Sequence, residues 1–229
     1  MNDQVKKDSS EQQENDTQVS TSQRRDSTKT EVTHYVNGYV QAEECWWDDD
    51  TNRNGFIVNF YETGETMTHV EYLGKKRNGK SIFWNEYGRI ISFRLYKNDI
   101  LDGEQTTFFS NGQIKLQVNM KNGRASGLTF GWYESGRLRL INTWKNGKRN
   151  GSHVEWNENG DKIVEGTFSN GSETGVWNFF DEVSRGWGKE TYRNGNLISS
   201  GEFVNKFMRN QHQKQNDKTM NSFMKNKIA

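Results

Sequence analysis

Apolar and polar residues alternate along short stretches of this chain. Val58 and Phe60, Ile82 and Trp84, Phe130 and Trp132, and Val154 and Trp156 fall at alternate positions. So do Ile114, Leu116 and Val118, and then Leu138 and Leu140. A period of two predicts β-strands with an apolar side. The intervening positions are mixed, with Lys115, Gln117, Arg139, Glu165 and Thr167 beside Ile91, Phe93 and Ile141. One face of the sheet is therefore expected to be apolar and laddered, and the other largely wet.

Glycines frame these stretches at a constant interval of 24 residues, at Gly55, Gly79, Gly103, Gly127, Gly151 and Gly175. A second series, Gly64, Gly88, Gly112, Gly136 and Gly160, follows nine positions behind the first. Five residues after each first glycine stands an aromatic: Phe60, Trp84, Phe108, Trp132, Trp156 and Phe180. Seventeen after it come Tyr72, Tyr96, Met120, Trp144, Phe168 and Tyr192. The arms between glycines, about six to eight residues, suit strands rather than helices. The predicted fold is all-β: tandem 24-residue antiparallel β-hairpins forming one elongated twisted sheet of about fourteen strands. The ring ladder is read as packing between successive hairpins, with Trp132 packed and Tyr133 facing the other way.

Turn chemistry agrees. The tips Glu62-Thr63-Gly64, Glu86-Tyr87-Gly88, Ser110-Asn111-Gly112, Glu134-Ser135-Gly136 and Glu158-Asn159-Gly160 each end in glycine. Links between hairpins are expected at Asn78-Gly79, Asn122-Gly123, Asn146-Gly147, Asn150-Gly151 and Asn170-Gly171, where both residues tolerate positive φ. Proline, which would interrupt the ladders, is absent. The array is irregular at its ends. After Gly175 two registers compete: strict spacing aligns Tyr192 and Gly195 with Trp144 and Gly147, while a restart at Gly186 aligns Gly195 and Phe203 with Gly160 and Phe168. The restart is preferred because it makes 196–204 a final strand.

Composition sets the domain plan. Only 31% of residues are hydrophobic and mean hydropathy is −1.07, lean for a two-layer core of this length but adequate for hairpins that touch only their neighbours. Residues 1–30 form a polar tail expected to be disordered, 31–205 the array, and 206–229 a basic tail, disordered or a short helix. That last tail carries Lys206, Arg209, Lys214, Lys218, Lys225 and Lys227 against Asp217. Met220, Phe223, Met224 and Ile228 would share a helical face there, and membrane-surface association through the sheet or this basic tail is the secondary expectation. Neither a transmembrane run nor a signal-peptide core is apparent, and a cytoplasmic location is favoured. Cys45 is the only cysteine, which excludes an intrachain disulfide.

The stretch Gly127–Gly147, with Trp132-Tyr133-Glu134-Ser135-Gly136-Arg137-Leu138 and Trp144-Lys145-Asn146-Gly147, resembles the MORN-repeat variant found in YwqK-type proteins. Gly151–Gly171 and Gly79–Gly88 are similar, and the resemblance covers roughly residues 31–205. It implies consecutive antiparallel hairpins in one long sheet. Members of YwqK type are commonly labelled antitoxins, and MORN proteins more broadly are linked to scaffolding and membrane proximity. The chain departs from the pattern at Asp99, which replaces a link glycine, and at Ser184, where a tip glycine is due.

Candidate chemistry is sparse. Asp50-Thr51-Asn52-Arg53-Asn54-Gly55-Phe56-Ile57 copies the first half of a calcium loop, but the acid due at the twelfth position is Tyr61, with Glu62 one place late. The four histidines, His34, His69, His153 and His212, show no metal-binding spacing. Ser126 lacks the strand-turn-helix setting of a nucleophile. No catalytic residue, cofactor or metal is assigned. Residues 34–205 hold 20 basic and 22 acidic side chains, so nucleic acid is not expected as a partner. The expected function is a non-catalytic scaffold for protein–protein interaction, with an antitoxin-like role as one version. Phe83, Phe93, Phe109, Tyr133, Trp177 and Phe179 are the candidate outward contacts.

Overall fold

The computed structural model describes residues 29–47, 54–181 and 185–204. Residues 1–28 of the polar tail, the basic tail, the first half of the calcium-like segment and Ser184 lie outside them, while Lys29 and Thr30, assigned to the polar tail, begin the first strand. Fifteen strands form a single antiparallel sheet in sequence order, one more than the repeat count predicts. They are β1 (Lys29–His34), β2 (Val40–Trp46), β3 (Gly55–Phe60), β4 (Thr66–Leu73), β5 (Lys76–Trp84), β6 (Ile90–Lys97), β7 (Ile100–Phe108) and β8 (Ile114–Lys121). The rest are β9 (Arg124–Trp132), β10 (Leu138–Lys145), β11 (Lys148–Trp156), β12 (Lys162–Ser169), β13 (Ser172–Asp181), β14 (Gly186–Arg193) and β15 (Asn196–Val204). The sheet is open, with β1 and β15 at its edges, and the described residues include no helix.

Two turn types alternate along it. At each tip the first residue donates its N–H to the fifth and the glycine N–H returns to the first, as in Tyr61 N to Glu65 O (2.8 Å) and Gly64 N to Tyr61 O (2.9 Å). This is a turn closed by a left-handed residue, and Gly64 accordingly has φ +90°. The links are two-residue turns with both residues at positive φ, such as Asn146 (52°) and Gly147 (79°), which matches the twist of the flanking strands. Each link is tied to the one before it. The N–H groups of Asp99, Gly123, Gly147, Gly171 and Gly195 donate to the carbonyls of Arg77, Leu101, Ala125, Arg149 and Glu173 at 2.8–2.9 Å.

Asp99 takes the glycine position at φ 68°. Its Oδ1 accepts from the backbone N–H and the Nε of Arg77, both at 3.0 Å. Those bonds, the side-chain one foremost, hold its carboxyl below the usual carboxylate range.

Three sequence expectations are corrected. Asn78-Gly79 and Asn150-Gly151 are not links but lie inside β5 and β11. Gly79 and Gly151 sit there at φ +111° and +115°, beside register shifts between hairpins. Second, the array keeps strict spacing at its end: Gly175 pairs with Tyr192, and Arg193 pairs with Asn196 across the Asn194-Gly195 link. Residues 196–204 do form the last strand, but as the first arm of a further repeat. Third, the alternating apolar residues of the two arms, such as Val58 and Phe60 against Leu116 and Val118, do not share a face. The five hairpins from β3–β4 to β11–β12 carry an extra residue on the second arm: Met67, Ile91, Lys115, Arg139 and Ile163. One inserted residue exchanges the faces beyond it.

The ring series therefore separates. On what we term the front face lie Tyr72, Tyr96, Met120, Trp144, Phe168 and Tyr192, each opposite its repeat glycine. On the back face lie Phe60, Trp84, Phe108, Trp132, Trp156 and Phe180. Most buried side chains face the front, among them Ser81, Tyr96, Leu140, His153, Phe168 and Trp177. Among the described residues the sheet has no second layer, and bulges of this kind increase the local twist of an antiparallel sheet.

Candidate functional site

The front face is consumed by packing. Trp177 is 4% exposed and stands edge-on to Phe168 at 4.9 Å between ring centroids, with His153 at 5.5 Å. Gly166 makes the space, since a Cβ there would lie 2.1 Å from the Trp177 ring. Arginines fill the intervals between rings: Arg77 lies 4.2 Å over Tyr96, and Arg149 lies 5.0 Å over Phe168. Arg94 covers Phe83 at 4.8 Å. Cation–π stacking of this kind lets a long polar side chain cover apolar surface.

His153 forms the most polar element of this face. Its Nδ1 lies 2.6 Å from Asn142 Oδ1 and its Nε2 lies 3.3 Å from Glu155 Oε1. The hydrogen bond from His153 is the main reason the Glu155 carboxyl is held below its ordinary range, against the opposing effect of burial. A nucleophile beside this group would suggest acyl chemistry, but the nearest rings are Phe168 and Trp177. The arrangement staples β10 to β11 across the Asn142–His153 pair.

The back face differs. One large ring per hairpin stands there, and Phe60, Trp84, Phe108, Trp132, Trp156 and Phe180 are all half-buried. Ile82, Phe93, Ile141 and Val154 flank them, also half-buried, while Phe130 beside Trp132 and Thr106 opposite Phe93 are buried on the same face. No element of the described residues covers this side, because the sheet is a single layer.

The aromatics chosen from sequence do not converge on one site. Trp177 is not outward but is among the most buried residues, because the bulge exchanges the faces assumed for it. Phe83 and Phe179 share the front face with it, on the rows of Thr68 and Val164. Phe93 lies on the back face opposite Ile82. Phe109 and Tyr133 open hairpin tips, where Lys115 Nζ lies 5.5 Å over the Phe109 ring. Tyr133 is half-buried, and its hydroxyl donates to Trp156 O at 2.7 Å. Tyr61 makes the same bond to Trp84 O at 2.8 Å, so these tyrosines clasp consecutive hairpins. The alternation alone favours the back row less than it should. Its rings look like core on the assumption that something packs over them.

The calcium-like segment is described only from Asn54 onward. There Asn54 Oδ1 accepts the N–H of Gly74 at 2.9 Å, and Gly55 pairs with Tyr72 inside the sheet. Among the described residues no cluster of His, Cys, Asp and Glu could hold a metal, and no helix is long and apolar enough to cross a membrane.

Residues 101–122 match the family described as MORN repeat variant. No curated protein matches the chain. The matched stretch is one complete hairpin, β7, its tip and β8, and the same 24-residue unit recurs before and after it in one continuous ladder. The chain is a MORN-repeat protein.

Proposed function

We propose that this chain is a non-catalytic repeat scaffold that binds another protein through the back face of its sheet. The observation that carries this reading is the row of half-buried rings, one per hairpin, over which no element of the described residues is laid. Tryptophan and phenylalanine are enriched at the cores of protein interfaces because they bury large areas at little entropic cost. Phe93 belongs to this surface, whereas Phe83, Phe109, Tyr133, Trp177 and Phe179 serve the array itself. The antitoxin-like version of the reading makes the partner a toxin.

The test is affinity capture from the native cell with the wild type and with the Trp132→Lys/Trp156→Lys variant, folding being checked by circular dichroism. A partner protein captured by the wild type and lost from the folded variant is expected. A partner retained by that variant, or none that depends on the back face, refutes the proposal.

A further inference from the structure

The near balance of charge in the array conceals a segregation by rim. The six links, Leu73–Lys76, Lys97–Ile100, Lys121–Arg124, Lys145–Lys148, Ser169–Ser172 and Arg193–Asn196, carry eight Lys or Arg residues against Asp99 alone. The five tips from Tyr61–Glu65 to Asn157–Asp161 carry six acidic residues against Arg89 and Arg137. Since links and tips alternate along the chain, one long rim of the sheet is basic and the other acidic.

Two carboxylates on the basic rim are already engaged. Asp99 holds Arg77 at 3.0 Å, and Asp102 holds Lys121 at 3.2 Å and the N–H of Asn122 at 3.0 Å. Beyond these, three consecutive links border a cleft of about 360 Å³ lined by Arg124, Lys145, Asn146, Lys148, Asn150 and Asn170. Its lining contains no acid. Among the described residues Arg124, Lys145 and Lys148 have no carboxylate partner within 4.0 Å. Three unpaired cations and three amides therefore face one concavity.

We infer that this cleft binds an acidic polypeptide segment of the protein partner, an inference that rests on the protein-binding reading above. Spacing favours an extended peptide. Successive links are two strands apart, about 10 Å, and three residues of extended chain span about 10 Å. In the polyproline-II form of extended chain, with three residues and about 9 Å per turn, an Asp or Glu at every third position would keep to one side and meet one link after another. Asparagine amides supply the neutral donors and acceptors that the peptide backbone requires. A flat membrane surface presents its charge in a plane and does not enter a cleft.

The experiment is fluorescence anisotropy of a labelled decaglutamate peptide with the full chain at about 50 mM salt, where exposed charges are weakly screened. The Arg124→Gln/Lys145→Gln/Lys148→Gln variant should weaken binding by about tenfold, as the loss of three exposed ion pairs implies. The equally charged control Lys80→Gln/Lys115→Gln/Lys189→Gln should stay within about twofold, because diffuse attraction alone is a minor part of the binding. Equal weakening by the control, or no binding by the wild type, overturns the inference. So does tighter, cleft-dependent binding of a ten-nucleotide oligothymidylate or of phosphatidylserine vesicles. In the capture assay the cleft variant should lose the partner. A cleft variant that keeps the partner, beside a back-face variant that loses it, refutes the cleft and leaves the scaffold reading standing.

Discussion

Removal of the Trp177 ring should be among the most damaging single truncations in the array. The side chain is 4% exposed and contacts Phe168, His153, Phe179 and Tyr192 at centroid distances of 4.9, 5.5, 6.1 and 6.3 Å. Truncation of a buried Trp to Ala costs about 3–5 kcal/mol. Trp132 stands half-buried on the back face, which no described element covers, so Trp132→Ala should cost distinctly less, about 1–2 kcal/mol on the area it loses. The indole Nε1 of Trp177 has no hydrogen-bond partner among the described residues. Trp177→Phe therefore sacrifices no polar contact and should fall well below Trp177→Ala.

Gly166 supplies a sharper check. A methyl group there would stand 2.1 Å from the Trp177 ring, so Gly166→Ala should overpack the wild type by about 1–3 kcal/mol. In the Trp177→Ala background the obstacle is gone, and the second substitution should cost little. The assay is urea unfolding of the four proteins in a double-mutant cycle, with the midpoint and slope followed by circular dichroism. Additive losses would refute the packing argument, as would Trp132→Ala matching Trp177→Ala.

Two further outcomes follow from the clasps and the titrating groups. Tyr133→Phe removes the hydroxyl bonded to Trp156 O and should cost about 1 kcal/mol in the same titration, whereas Tyr87→Phe, at a side chain exposed to solvent, should cost nothing measurable. Glu155 has its pKa depressed by the His153 hydrogen bond, so its contribution is fully present above the unfolded value of about 4.3 and fades as pH falls through the lower folded value. Glu155→Gln should therefore be less stable than wild type at neutral pH, with the difference closing at pH values below about 4. A gap that persists unchanged in acid would show that the carboxylate's charge contributes nothing.

The repeat itself was legible in the chain. Glycines at 24-residue spacing, the Asn-Gly and Glu-x-Gly turns and alternating arms define consecutive hairpins without any tertiary information. Each hairpin is bonded only to its sequence neighbours, so local turn chemistry is sufficient to order the strands. The segregation of charge between rims was also present in the sequence, in Lys-Asn-Gly-Lys links against Glu-Ser-Gly tips, although the net charge of the array obscured it.

What the sequence could not supply was facing. A single extra residue at Met67, Ile91, Lys115, Arg139 or Ile163 reverses which side the rest of the second arm presents relative to the first. Periodicity counts along one strand and is blind to an unpaired residue, because a bulge exists only relative to the partner strand. For that reason Trp177 reads as outward and is buried, while Trp132 and Trp156 read as core and line the face that no described element covers. The 24-residue pattern determined that this chain forms a ladder of hairpins. Which rings close the array and which are left to meet a partner was decided only by pairing across strands, where one added residue changes the face that a side chain presents.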